Sequence, residues 1–539
     1  MNETKLCGIA LCAYCFLAVT QLGHYSLWDD EANTALGAKA FLLHGDTDAR
    51  VDGRNLLLYR EGSETKDLKL RYIPPLQYII AAVGIGCDNK SAAAGRAPFL
   101  CAGLAAVAIL LMWALRRQQL VSSVFVVLLL TNTSLLLFIR QCRYPAVTVL
   151  LAVLIAWIYL EQRSSLWNGS LLALCFTALG CTQYLIFAAT LTCLVVDYSV
   201  WGRDGGRWPV WPFLASLFCG VVISIPVMIT WNPLDKTVVD QAYGNTMLQR
   251  VVLFFWNLRD LNWCEFASLP LILAGVLLLT GPVRREVIRG ITAIVVYVGV
   301  ISVISPQPVS LTRVADVRYL VPLIPLALGV QALIIARLLP QHRQWTLAAA
   351  AIIGSTNLGN VTWCPDGSVH CTVGEYVGEL VEPADDPYGA VSDWLKKNTA
   401  EGTTVLVLPD YATYPLMFHA PHVTYAWQLG DRQRYDPQFA SLSDINFKGI
   451  VPPDYIVGFG PHRAQAVTVC AVLAQRGCKC EEVVRLRVFW RDTYRPELFL
   501  RTFGPVKGYD PENEGVFIIR CSNVKEGGET SAVNPLPES

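Results

Sequence analysis

Long stretches without a single charge limit what this chain can become. Leu6–Leu22, Ala97–Leu115 and Leu120–Ile139 contain no Asp, Glu, Lys or Arg. A bilayer core about 30 Å thick is crossed by about 20 apolar residues in a helix. Predominantly apolar runs recur through the first two thirds of the chain, at about 5–25, 97–115, 120–139, 145–160, 166–181, 183–200, 209–231, 265–281, 287–305, 319–337 and 345–358. The composition agrees: 53% of the 539 residues are hydrophobic and 16% charged, where soluble domains carry about 25% charged residues. The reading is an α-helical polytopic membrane protein with about eleven transmembrane helices. Lys5 and the apolar run after it, with no small-residue cleavage site before the next acids, read as a retained signal anchor.

Loop charge sets the orientation. The run Ile73–Cys87 has fifteen residues and at about 1.5 Å each falls short of a crossing. If it lies at the interface and the N-terminus is cytoplasmic, every short inner loop carries arginine. These are Arg116 and Arg117, Arg163, Arg203 and Arg207, Arg284, Arg285 and Arg289, and Arg337 and Arg343, the positive-inside pattern. Residues 26–96 then form one external loop with interfacial helices, closing a membrane domain at 1–359. Residues 360–525 read as a soluble, extracytoplasmic domain. Strands at "TVLVL", "DYIVGF" and "GVFIIR" with helices at Pro387–Asn398 and Gln465–Arg476 predict a small α/β fold. Residues 526–539 read as a disordered tail.

There are seventeen cysteines. Cys364 and Cys371 flank "PDGSVH" and could pair in an exported region. Cys478 and Cys480 are one residue apart. No Cys/His spacing suits zinc, so a divalent metal, though conceivable, is not indicated.

The informative charges lie on the external side. Asp29, Asp30 and Glu31 follow the first span, Arg71 precedes the interfacial helix and Arg96 opens the second span. Arg140 and Arg143 end the third, and Arg313, Asp316 and Arg318 open the tenth. Singly, such residues snorkel or pair. As a set at one membrane face, a carboxylate among arginines suits an anionic, phosphorylated substrate. No Walker A loop or dinucleotide fingerprint is present, and nucleotides are cytoplasmic, so a lipid-linked phosphate is the natural candidate.

Several segments, in order, resemble the GT-C glycosyltransferases of the protein O-mannosyltransferase and lipid A aminoarabinose transferase type. "LWDDEANTA" resembles their first-loop acidic motif, "YIPPLQYIIAAVG" their interfacial helix and "GRAPFLCAGLAAVAILLMWALRR" their second span. "RQCRYPAVTVLLAVL" and "VRYLVPLIPLAL" are similar to two further motifs, and "DPYGAVSDWLKKNTAEGTTVLVLPDYATYPLMF" to the start of their soluble region. The resemblance implies transfer of a monosaccharide from a polyprenyl-phosphate donor to a hydroxyl of a protein, lipid or envelope glycan. It implies an inverting reaction on the outer face of the cytoplasmic (inner) membrane, with no cofactor required and no nucleic-acid partner. It implies Asp30 as general base, Glu31 behind it and Asp29 largely solvated. Arg143, Arg318, Arg71 and Arg140 would hold the donor phosphate, and Tyr144, Gln183, Tyr184 and Tyr319 would line the cavity. Two departures, Ile73 where relatives carry Lys or His and Tyr144-Pro145 directly after Arg143, argue against an aminoarabinose donor. A transporter or flippase for a lipid-linked anion is the competing reading. It calls for polar residues and broken helices at mid-membrane, whereas these charges gather at one face.

Overall fold

The computed structural model describes the chain except residues 1–2, 59–61, 63–64, 72, 203–206, 232–245, 266–274, 306–316, 340–341, 357–368, 370, 491–514 and 524–539. The expected tail, Asp316 and Cys364 lie outside the described residues, as does most of the 265–281 span. The chain divides into two compact units, the first running to Asp386 and the second starting at Pro387.

The first unit is helical. Helices α1 (Glu3–Val19), α2 (Asp29–His44), α3 (Leu76–Cys87), α4 (Ala92–Ala114), α5 (Gln119–Thr131), α6 (Thr133–Ile139), α7 (Pro145–Glu161), α8 (Leu166–Gly180), α9 (Tyr184–Asp197) and α10 (Val210–Thr230) are followed by helices at Met247–Glu265, Gly281–Ile304, Ile324–Leu338, Arg343–Ser355 and Thr372–Val381. Among the described residues five helical segments are long and apolar enough to cross a membrane: Ala92–Ala114, Tyr184–Gly202, Val210–Thr230, Gly281–Ile304 and Val321–Leu338. A sixth forms if α5 and α6, bent by 61° at Asn132, count as one crossing. The bend has a local cause: the Asn132 side chain accepts a hydrogen bond from Leu135 N at 2.8 Å, capping a new helix where the old one would have continued. Other apolar runs form helices of 12 to 17 residues, α1, α3, α7 and α8 among them. The helix Met247–Glu265 is absent from the sequence reading because Arg250, Arg259 and Asp260 interrupt its apolar pattern.

Between α1 and α4 the chain builds a polar loop region. Gly45 ends α2 in the left-handed conformation, φ 68°, which glycine adopts without a Cβ clash. A short hairpin, β1 (Thr65–Lys66) with β2 (Lys69–Leu70), follows. Helix α3 packs on α2 and on α4. The approach to α4 is closest at Gly84, where a Cβ would lie 1.9 Å from the Ala94 carbonyl oxygen. Leu76 N donates to Cys181 O at 3.1 Å, tying the start of α3 to the end of α8.

The second unit is a small α/β domain, as expected. Its sheet runs β4 (Thr424–Tyr425), β3 (Thr404–Leu408), β5 (Tyr455–Phe459), β7 (Val516–Asn523), β6 (Cys478–Leu486). The pairs β4–β3 and β3–β5 are parallel, and β5–β7 and β7–β6 antiparallel. The continuous apolar runs of β3 and β5 are those of strands covered on both faces. The helix Arg463–Gln475 packs on β5 and β6, its Ala466 and Leu473 meeting Leu406 and Ile456 of the sheet. The sequence reading lacked β4, which is two residues long, and β6, an edge strand carrying Lys479, Glu481 and Glu482.

Candidate active site

The three acids form the first turn of α2. Helix N-termini leave backbone N–H groups without intrahelical partners and carry a partial positive charge, so carboxylates are stabilised there. Each acid then has its own surroundings.

Glu31 is buried, 1% exposed. Arg96 grips it with two parallel bonds, Nη2 to Oε2 at 2.5 Å and Nε to Oε1 at 2.9 Å. Oε1 also accepts from Cys142 N at 2.8 Å and Oε2 from Trp28 N at 3.4 Å. Arg96 donates further to the carbonyls of Leu22, Tyr25 and Ser26. The pair therefore fastens the α1–α2 turn to the start of α4 and to the α6–α7 junction. Asp29 is expected to be solvated, but its side chain folds back over the helix start, accepting from Asp30 N at 2.8 Å. The residue is 8% exposed, which corrects that expectation.

Asp30 occupies the meeting point. Its Oδ2 lies 2.9 Å from Arg143 Nη1 and 2.9 Å from Arg318 Nη1. Arg143 comes from the turn before α7, and Arg318 from a short 3-10 helix, Val317–Tyr319, at the entry to the last apolar span. The Arg143 guanidinium sits 5.2 Å from the Trp28 ring centre and 5.1 Å from that of Tyr144. Tyr144 stacks on Tyr319 at 6.5 Å and 10°, and Arg318 lies 5.5 Å from the Tyr319 ring. Rings facing cations in this way hold them while leaving their N–H groups available. The Tyr297 hydroxyl donates to Tyr319 O at 3.0 Å, fixing the short helix that carries Arg318. Asp30 keeps 27% of its side chain accessible, against 7% for Arg143.

The remaining expected site residues have other partners. Arg71 forks onto Asp46 at 2.7 Å for each bond, donates to Thr47 Oγ1 and lies over Trp231 at 4.6 Å. Lys69 meets the same carboxylate at 2.8 Å. The Arg71 guanidinium, aided by Lys69, holds Asp46 well below the usual carboxylate range. Tyr184 donates to Trp231 O at 2.8 Å, so it shares a cluster with Arg71. Arg140 binds Thr20 O at 2.7 Å and the Tyr376 hydroxyl. Gln183 caps α9, accepting from Leu185 N at 3.3 Å. Two contributors escape the sequence reading. One is Trp28, which faces Arg143. The other is Gln141, 2% exposed, whose amide atoms have no hydrogen-bond partner among the described residues. Among the described residues no group of three or more His, Cys, Asp or Glu is arranged to hold a metal.

The sequence matches no family model and no curated protein. It is similar in structure to ArnT from Cupriavidus metallidurans. The apo form aligns with a TM-score of 0.51 at 15% identity, over 89% of this chain and 96% of ArnT. The form bound to undecaprenyl phosphate aligns with a TM-score of 0.52 at 13% identity, over 86% and 94%. The chain has the GT-C fold. That match spans nearly the whole of both proteins. At such identity it establishes the architecture, and the chemistry has to be argued from the residues above.

Proposed function

We propose that this GT-C chain is a glycosyltransferase. It moves a monosaccharide from a polyprenyl-phosphate donor to an acceptor hydroxyl of a protein, lipid or envelope glycan, with inversion, on the extracytoplasmic face of the inner membrane. The observation that carries the reading is Asp30 held between Arg143 and Arg318 in a fold whose solved example ArnT binds undecaprenyl phosphate.

In this reading the arginines do two jobs in turn. Without donor they neutralise Asp30. An incoming phosphate offers the same guanidiniums a better-matched, bidentate anion, and displaces the carboxylate toward the acceptor. The acceptor oxygen attacks the anomeric carbon, the bond from that carbon to the phosphate oxygen breaks, and the acceptor proton passes to Asp30. The departing polyprenyl phosphate gains one negative charge, which Arg143 and Arg318 stabilise as it develops. Tyr144 and Tyr319 wall the site, and Glu31 acts on it through Arg96 and Cys142 N, as a positioning residue. Arg71 and Arg140, engaged by Asp46 and Thr20, stand outside this exchange.

The test is Asp30→Asn in membranes supplied with labelled polyprenyl-phosphate sugar. Transfer falls by about 10²–10⁴, while polyprenyl phosphate binding persists and tightens because its internal competitor is gone. Sugar transfer at the wild-type rate overturns the assignment.

A further inference from the structure

The second unit holds a group of thiols that sugar transfer does not use. Strand β6 is the edge of the sheet and pairs with β7, in a register that sets Cys480 opposite Cys521. Cys521 N donates to Asp454 O at 2.8 Å, on the β5 side. A strand residue turns its N–H and C=O the same way, so toward β6 Cys521 occupies a non-hydrogen-bonded pair. At such pairs the Cα atoms are about 4.5 Å apart and the side chains closest, within the about 4.4–6.8 Å range that a disulfide bridges. The two sulfurs already lie 3.5 Å apart. The irregularity in the ladder falls between Glu482 and Val484, beyond this pair.

We propose that Cys480 and Cys521 form a cross-strand disulfide that clamps β6 to the sheet, installed by exchange with a protein or small-molecule disulfide. The Cys480 thiolate attacks one sulfur of the donor disulfide, giving a mixed disulfide and one donor thiolate. The Cys521 thiolate then attacks Cys480 Sγ and releases the second donor thiolate. Two protons and two electrons pass from the cysteines to the donor, which is reduced to two thiols.

The surroundings suit a permanent bond over a catalytic one. Cys470, on the helix Arg463–Gln475, packs against the same apolar cluster as Cys480, and burial pushes its thiol up to about 12. Burial raises the Cys521 thiol as well. Disulfides that oxidise others rest on stabilised, low-pKa thiolates, and this apolar pocket of Leu406, Ile456, Ala466 and Leu473 does the opposite. Cys470, kept protonated, is a poor attacker of the finished bond. Disulfides persist in oxidising compartments, the side on which this domain is proposed to lie.

The experiment is peptide mapping of the full-length protein, extracted from membranes into N-ethylmaleimide and digested without reductant. A linked pair of peptides joining Cys480 to Cys521, lost on reduction, is the expected result. Recovery of both residues as maleimide adducts, or linkage of Cys480 to Cys470 in place of Cys521, overturns the proposal. A thermal scan gives a second readout. Dithiothreitol lowers the Tm of the wild type and leaves the Cys480→Ala/Cys521→Ala variant unmoved, whereas an equal shift in both overturns the clamp.

Discussion

Asp30 and Glu31 are adjacent, yet their surroundings part them. Glu31 is 1% exposed and bonded through both oxygens; Asp30 bridges two arginines that a phosphate can claim. The two should separate under mutation. Glu31→Gln leaves Arg96 buried beside a neutral partner and should destabilise the protein by about 3–5 kcal/mol, read as a lower Tm in detergent. Asp30→Asn, at a side chain 27% accessible and with Arg143 still facing Trp28 and Tyr144, should lower the Tm less than Glu31→Gln while lowering kcat and KM together, the pattern of a lost competitor and a lost base. The acid cluster and its outlying arginines were legible in the sequence because charge at the end of an apolar span is costly and conspicuous. Which acid meets which arginine was not, since that depends on how helices from distant parts of the chain converge. Arg71 shows the gap: it is as prominent in sequence as Arg143, but Asp46 takes it.

At the scale of elements, α2 is buried along most of its length. Lys39 is half-buried within it, and desolvation pulls its amine down to about 8. Its folded-state value lies below the unfolded one, so below about pH 8 the charge works against the fold. The penalty fades as pH rises from about 8 to the ordinary lysine value near 10.4. Lys39→Met should therefore raise the Tm at pH 7, and the gain should shrink toward pH 10. At the contact of α3 with α4, Gly84→Leu should force the helices apart against the Ala94 carbonyl, at about 1–3 kcal/mol or more. Because α3 packs on α2, whose first turn carries Asp30, and α4 supplies the Arg96 that grips Glu31, sugar transfer should fall with stability. The helices themselves were readable from apolar runs. Their ends were not: Asn132 breaks one span through a single side-chain cap, and Met247–Glu265 hides behind its charges.

For the molecule as a whole, arginine placement gives a topology that a reporter can check. Alkaline phosphatase fused after Arg163 should stay inactive in the cytoplasm, and fused at the C-terminus should be exported and active. The reverse result would invert the proposed sidedness of the site. The α/β character of the second unit was visible in "TVLVL", "DYIVGF" and "GVFIIR", because doubly covered strands write apolar runs. The outermost strands β4 and β6 were not visible, being short or charged.

Arg96 also says something about time. A guanidinium has five N–H groups, and here they reach Glu31 twice and the carbonyls of Leu22, Tyr25 and Ser26 once each. These bonds span 65 to 74 positions of the chain, and Cys142 N reaches Glu31 across 111. The turn that presents Asp30 thus stays unfinished while the ribosome makes everything up to the head of α7. During synthesis the acidic turn is laid down early and settled late.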